Sequence, residues 1–280
     1  VINLTGDWAG RVVCFCGPGN NGGDGVACAR QLLEAGFEVR CVLVGSREKM
    51  TQDTRAMEAK LAAAGGKLET FQPDDSGFAA WCLEANVMVD ALFGIGLNSD
   101  VRGDALIAVH MMNTCDIPVV SADIPSGVET DTGRVLGEAV YAARTVTFTL
   151  PKAGHYVGKG GLCTGQLTVA DIGIPKDLVD GLDCPVCTVE AADVRLPRRP
   201  RDAHKGDFGR CAILGGSVGY TGAPVLAAQA AVRSGAGLVS VGVPTPVWAV
   251  AAAKLDEAMP YPLPAGKEGQ LSLEAGEAIH

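Results

Sequence analysis

Apolar residues in this chain come in short continuous blocks, separated by stretches in which they recur at helical spacing. RVVCFC, residues 11–16, is such a block and predicts a strand buried on both faces. The glycine-rich GPGNNGGDG, residues 17–25, follows as a predicted loop, and VACARQLLEAG then carries a helical pattern that stops at Gly36. FEVRCVLVG, residues 37–45, predicts a second strand, and residues 51–64 a helix ended by Gly65 and Gly66. The rhythm repeats through KLETF (strand), FAAWCLEA (helix), NVMVDALFG (strand), residues 104–112 (helix) and PVVSADIPSG (strand and turn). Strands that alternate with helices predict βαβ units and a parallel sheet, with ligands beyond the carboxyl ends of the strands. RTVTFTLPKAG and QLTVADIGIP are richer in β-formers and are expected to extend the sheet edge. A proline-bearing stretch at 183–207, with Arg195, Arg198, Arg199, Arg201 and Lys205, predicts a domain junction. Beyond it GRCAILGGS, TGAPVLAAQAAVRSGAG, LVSVGVP and PVWAVAAAKL read as strand, helix, strand and helix, a unit expected to be too small for a closed α/β core.

Composition changes this picture little. The 280 residues, 48% hydrophobic and 20% charged, are ordinary globular usage and predict two domains. The 37 glycines are in excess and belong to tight turns and close backbone approaches. A net charge of −9 argues against nucleic acid as a partner, and no apolar run reaches the roughly 18 residues of a membrane helix. The ten cysteines are not a disulfide framework: Cys14, Cys16, Cys28 and Cys41 fall in core-like segments, and Cys184 with Cys187 forms a lone CPVC without the second pair, or the two suitably spaced histidines, that zinc would want, since His110, His155, His204 and His280 are scattered. A reducing, cytoplasmic location is expected, although the chain begins at Val1 rather than Met, which leaves an upstream targeting segment open.

The candidate chemistry lies at strand ends. Gly17, Gly19 and Gly22 satisfy G-x-G-x-x-G, so backbone N–H groups at a helix N-terminus are expected to face an anion. The second strand, however, ends in Val44-Gly45-Ser46 and lacks the acidic residue that would hold a ribose, which disfavours a NAD-dependent oxidoreductase. Asn20, Asn21 and Asp24 add side-chain groups that a plain phosphate loop does not need. Asp90 closes one strand and Asp123 another, each with glycine soon after. Helix capping would account for such residues singly. Asn21, Asp90, Asp123 and Ser126 converging on one sheet edge favour a site.

GPGNNGGDG, VDALFGIGL, SADIPSGVETDTG, TVTFTLPKAG and VADIGIP, in that order, closely resemble the NAD(P)H-hydrate epimerase domain. HKGDFGRCAILGGSVGYTGA and AAVRSGAGLVSV resemble the opening of the ADP/ATP-dependent NAD(P)H-hydrate dehydratase domain, and the tandem resembles the bifunctional NAD(P)H-hydrate repair family. The resemblance implies a Rossmann-like three-layer αβα sandwich at 1–185 without the family's leading helix. At 186–280 it implies a truncated ribokinase-like α/β domain whose dehydratase motifs are incomplete. It further implies substrate contacts from Asn20, Asn21, Gly22, Gly23 and Asp24, from Gly94, Ile95, Gly96, Leu97, Asn98, Ser99 and Asp100, from Asp123, and from Ala223 in the second domain. A potassium ion is implied at Asn21, Asp90 and Ser126, all hard oxygen donors. ADP or ATP with magnesium belongs to the full-length dehydratase domain, and Lys205, although motif-matched, is left without a role. Asp123 is the candidate general acid/base for interconverting the two C6 epimers of hydrated NADH or NADPH. The partners expected are that small molecule and a second copy of the chain. A non-catalytic binding or scaffold module on the same fold is the alternative.

Overall fold

The computed structural model describes residues 1–2, 10–184, 186–195 and 198–279. The chain divides into two compact units, Val1–Cys187 and Thr188–His280. The leading-helix expectation falls on residues 3–9, outside the described residues.

In the first unit seven strands, β1 (Arg11–Cys16), β2 (Glu38–Leu43), β3 (Leu68–Thr70), β4 (Val87–Ala91), β5 (Val119–Ala122), β6 (Arg144–Phe148) and β7 (Gln166–Ala170), form one sheet in the order β3-β2-β1-β4-β5-β6-β7. Every neighbouring pair is parallel. Central position explains why the β1 block is apolar on both faces. Val12, Cys14 and Cys16 pack with Val26, Ala29, Leu32 and Leu61 of helices α1 (Asn20–Glu34) and α2 (Gln52–Ala63). Val13 and Phe15 pack with Phe78, Cys82, Ala108 and Met112 of helices α3 (Ser76–Leu83) and α4 (Asp104–Thr114) on the other face. The result is the Rossmann-like αβα sandwich. Phe15 meets Phe71 and Phe78 edge-on at 6.0 and 5.9 Å between centroids, and truncating it to alanine should cost about 3–5 kcal/mol through the cavity left.

The chain builds outward from β1 to β3, then returns to add β4 to β7 on the other side, so strand order reverses between β1 and β4. The carboxyl ends of those two strands flank the crevice where open α/β sheets bind ligands.

Two local features depart from the sequence pattern. Helix α1 starts at Asn20, so NNGGDG is its first turns rather than a loop, and only Gly17, Pro18 and Gly19 make the connection. Packing over that connection overrides glycine's low helix propensity: a Cβ on Gly22 would lie 1.7 Å from the carbonyl oxygen of Gly17. In the second unit the expected strands β8 (Arg210–Leu214) and β9 (Leu238–Pro244) are joined by an unpredicted parallel strand, β10 (Met259–Leu263), in the order β10-β9-β8. Pro260 and Pro262 disguise β10 in the sequence, and its place at the sheet edge is where proline is tolerated. Val239, Val241 and Val243 of β9 form the core of this unit with Val225 and Ala228 of helix α5 (Gly222–Ser234) and Val247 and Ala251 of helix α6 (Thr245–Ala252).

Candidate functional site

A cavity of about 690 Å³ opens at the strand-order reversal, lined by Asn20, Asn21 and Asp24 of α1, by the segment from Leu92 to Ser99 after β4, and by Thr51, Asp123 and Phe148. The connection beneath it is tightly held. Gly17 N–H bonds to the carbonyl of Ala91, Thr51 N–H to that of Pro18, and Thr54 Oγ1 donates to that of Gly19 at 2.8 Å. Helix α1 has no side-chain N-cap and no acidic residue in its first turn, so its first N–H groups and dipole present a positive end to the cavity. That end suits a pyrophosphate.

Asp123 stands across the cavity in left-handed backbone geometry, φ 64°. Its buried Oδ1 accepts from Lys152 Nζ at 2.6 Å and from Thr147 Oγ1 at 3.0 Å. Lys152 Nζ also donates to Thr147 Oγ1 and to the carbonyl of Phe148, so all its protons are used. The other oxygen, Oδ2, faces Gly94, where a Cβ would come within 3.2 Å of it. One carboxylate oxygen is thus anchored while the other borders the ligand space. Asp24 lies on the same cavity, and its carboxyl is pushed up from the ordinary range by burial and, second, by the charge of Asp123.

Asp90 is fully buried. Ser126 Oγ donates to its Oδ1 at 2.6 Å, while Ser121 Oγ and Ser126 N–H donate to Oδ2 at 2.7 and 2.8 Å. Burial nevertheless dominates and raises its proton affinity above the ordinary carboxylate value, the hydrogen bonds opposing. Ser126 Oγ in turn accepts from Phe93 N–H, which ties the β4 segment to the DIPSG turn. Asn21 packs against the same Gly94, and its buried Nδ2 has no hydrogen-bond partner. Asp90 is a fully buried carboxylate with no cationic partner among the described residues, and its carboxylate, the Ser126 hydroxyl and the amide carbonyl of Asn21 are hard oxygen donors of the kind an alkali cation takes.

Of the residues named from the sequence, Asn20, Asn21, Asp24, the 94–99 segment and Asp123 border the cavity, and Asp90 and Ser126 sit together beneath it. Gly22 and Gly23 are buried in α1 below the lining, and Asp100 pairs with Arg102 outside it. Ala223 and Lys205 lie in the second unit, Ala223 exposed in the first turn of α5. Cys184 and Cys187 are exposed free thiols. Thr51, Phe148, Lys152 and His155 belong to the site without a local signal that marks them as site residues. The PKAG motif carrying Lys152 is visible in the sequence, but nothing there sets its ammonium against Asp123, which lies 29 residues earlier. A separate cavity of about 330 Å³ at the β2–β3 edge holds Arg40 and Arg47, already paired with Glu69 and Glu58.

The family profile described as YjeF-related protein N-terminus matches residues 4–154, and that described as NAD(P)H-hydrate dehydratase matches residues 211–280. The bifunctional NAD(P)H-hydrate repair enzyme Nnr of Moorella thermoacetica is 42% identical over 269 residues, covering 95% of this chain and 51% of the relative. The enzyme of the same description from Salinibacter ruber is 38% identical over 280 residues, covering 94% and 51%. The chain therefore spans about half the length of the curated relatives it matches. A crystal structure of the yeast protein ynu0 superposes with a TM-score of 0.52 at 25% identity, over 66% of this chain and 75% of that one.

Proposed function

Because the chain belongs to the family described as YjeF-related protein N-terminus, we propose that its first unit epimerises hydrated NADH and NADPH, with Asp123 as the general acid/base. One observation carries this reading: Asp123 Oδ1 is held by Lys152 and Thr147 while Oδ2 borders the open cavity beside the N-terminus of α1. The pyrophosphate of the dinucleotide would rest on the first N–H groups of α1, and the nicotinamide end would reach the 94–99 segment and Asp123. Carbon 6 of the hydrate bears both a hydroxyl and the ring nitrogen. Removal of the hydroxyl proton by Oδ2 turns C6–O into an aldehyde carbonyl as the carbon–nitrogen bond breaks and its electron pair leaves on the ring nitrogen, which shares it with the conjugated carboxamide. After rotation the nitrogen pair adds to the other face of the aldehyde, and Oδ2 returns the proton to the oxygen. The carboxylate is suited to this because its second oxygen is fixed, so the bare oxygen has one orientation.

Potassium fits Asn21, Asp90 and Ser126. When bound it would supply positive charge that offsets the buried Asp90 and orders the first turn of α1. For the whole protein the reading extends to repair of the hydrate by a nucleotide-dependent dehydratase, with ADP or ATP and magnesium. Among the described residues no cluster of three His, Cys, Asp or Glu forms a metal site. The partner is the small molecule. Among the described residues no helix is long and apolar enough to cross a membrane. A cytoplasmic location and self-association belong to the same reading.

The test is incubation of the chain with R-NADHX and chromatographic measurement of the S epimer. Conversion well above the spontaneous rate is expected. A folded chain that leaves the epimer ratio at its spontaneous course would be a non-catalytic module on this fold.

A further inference from the structure

We propose that His155 is a positioning residue for the Asp123–Lys152 pair, its ring clamping the backbones of both so that Asp123 Oδ2 stays aimed into the cavity. This rests on the acid/base reading of Asp123.

The imidazole makes two hydrogen bonds, one to each partner. Its Nδ1 accepts the backbone N–H of Lys152 at 3.0 Å, and its Nε2 lies 2.9 Å from the carbonyl oxygen of Asp123. A nitrogen that accepts an N–H carries no proton, so the proton sits on Nε2, which donates to Asp123. The geometry therefore selects one tautomer, with one acceptor and one donor. A doubly protonated ring would lose the Lys152 contact. The ring is only 3% exposed, and burial lowers its proton affinity from the ordinary histidine value, with the charge of Lys152 acting the same way and Asp123 opposing.

The clamp matters because Asp123 is strained. Left-handed backbone at a residue other than glycine costs on the order of 1–3 kcal/mol and persists only where neighbours over-determine it. Asp123 N–H is held by the carbonyl of Val146 at 2.7 Å, and its carbonyl by His155, so both sides of the residue are pinned. Rotation about either bond would swing the carboxylate off Lys152 and Thr147. Lys152 is held at both ends. Its ammonium is fixed by three acceptors, and its backbone is held in register with them by the N–H that the ring accepts.

The turn that carries the ring has no slack. His155 ends a 3-10 turn, Ala153–His155, whose Gly154 N–H bonds to the carbonyl of Thr130 at 2.6 Å. A Cβ on Gly154 would lie 2.6 Å from the carbonyl oxygen of Glu129. The 129–130 segment thus fixes the turn, the turn fixes the ring, and the ring fixes the two reacting-site backbones.

The experiment compares R-NADHX epimerisation by the wild-type chain, His155→Phe, His155→Asn, Asp123→Asn and the double variant Asp123→Asn/His155→Phe. Phenylalanine fills the ring volume without hydrogen bonds, and asparagine keeps an acceptor near the Nδ1 position. For His155→Phe, kcat is expected to fall about 10²-fold, the size of an ångström-scale misplacement, with KM within about threefold. His155→Asn is expected to recover about tenfold of that loss, and it serves alone if His155→Phe does not fold. The double variant is expected to be no slower than Asp123→Asn, because His155 acts only through Asp123. Nitrogen-15 NMR of the wild-type ring should show a protonated Nε2 and a bare Nδ1. The inference is overturned if a folded His155 variant keeps wild-type kcat, if the two losses multiply in the double variant, or if the proton is on Nδ1. A wild-type chain inactive on R-NADHX overturns the epimerase reading itself and takes this inference with it, an outcome distinct from an active wild type with indifferent His155 variants.

Discussion

Lys152 donates its ammonium to Oδ1 of Asp123 at 2.6 Å, across the gap between the loop after β6 and the end of β5. Both side chains are largely buried, so the pair orders the carboxylate in a way that a surface ion pair would not. Removing Lys152 would leave a buried carboxylate oxygen with Thr147 as its one remaining side-chain donor. Lys152→Met should therefore destabilise the fold by roughly 3 kcal/mol, the lower part of the range for breaking a buried pair. Urea unfolding of both proteins measures it, and a change under about 1 kcal/mol would place the pair among ordinary surface contacts.

Asp123→Asn keeps the size of the side chain and most of its hydrogen bonds but cannot take up a proton. Epimerisation should fall about 10²–10⁴-fold with dinucleotide binding retained, and melting should drop less than in Lys152→Met, because the asparagine carbonyl still accepts from Lys152 while the negative charge is lost. Turnover and melting on one preparation separate this from a turn-capping role, which would lower stability slightly and leave the rate within a few-fold.

The cation site turns on Asp90, which among Asn21, Asp90 and Ser126 is the charged member and is fully buried. The wild-type chain is expected to melt higher in potassium than in sodium at equal ionic strength. In Asp90→Asn that difference should vanish, and the KM for the hydrate should rise as α1 loses its anchor. Identical melting of wild type in the two salts would remove the site.

The pH dependence of stability follows from His155. Its folded-state value is depressed below the ordinary 6.5, chiefly by burial. As pH falls through 6.5 the unfolded chain takes up a proton on this residue before the folded chain does, so the stability His155 contributes is present above 6.5 and is lost as pH falls through the folded value. Denaturation midpoints measured from about pH 8 to 5 should decline, and the decline should be shallower in His155→Asn. An equal slope in the two proteins would mean that the ring titrates alike in both states.

Strand and helix order was legible because buried parallel strands must be continuous apolar runs, as RVVCFC and NVMVDA are, whereas covering helices repeat near 3.6 residues. The polar residues that break those runs at strand ends, Asp90 and Asp123, stood out for the same reason. The PKAG motif was equally visible, yet the partners of its lysine were not.

What the sequence by itself determined is therefore the alternation of elements and the set of polar strand-end residues, because both depend on local spacing and burial. Only the tertiary structure decided that Asn20 opens a helix, that β10 pairs despite two prolines, and that Lys152 and His155 meet Asp123. Each of those depends on which segments the sheet sets side by side. β6 lies against β5, and that one adjacency carries a lysine and a histidine to a carboxylate about 30 residues away along the chain. Contacts over such separations are set by strand order and close packing, and no local pattern of apolar and polar positions encodes them.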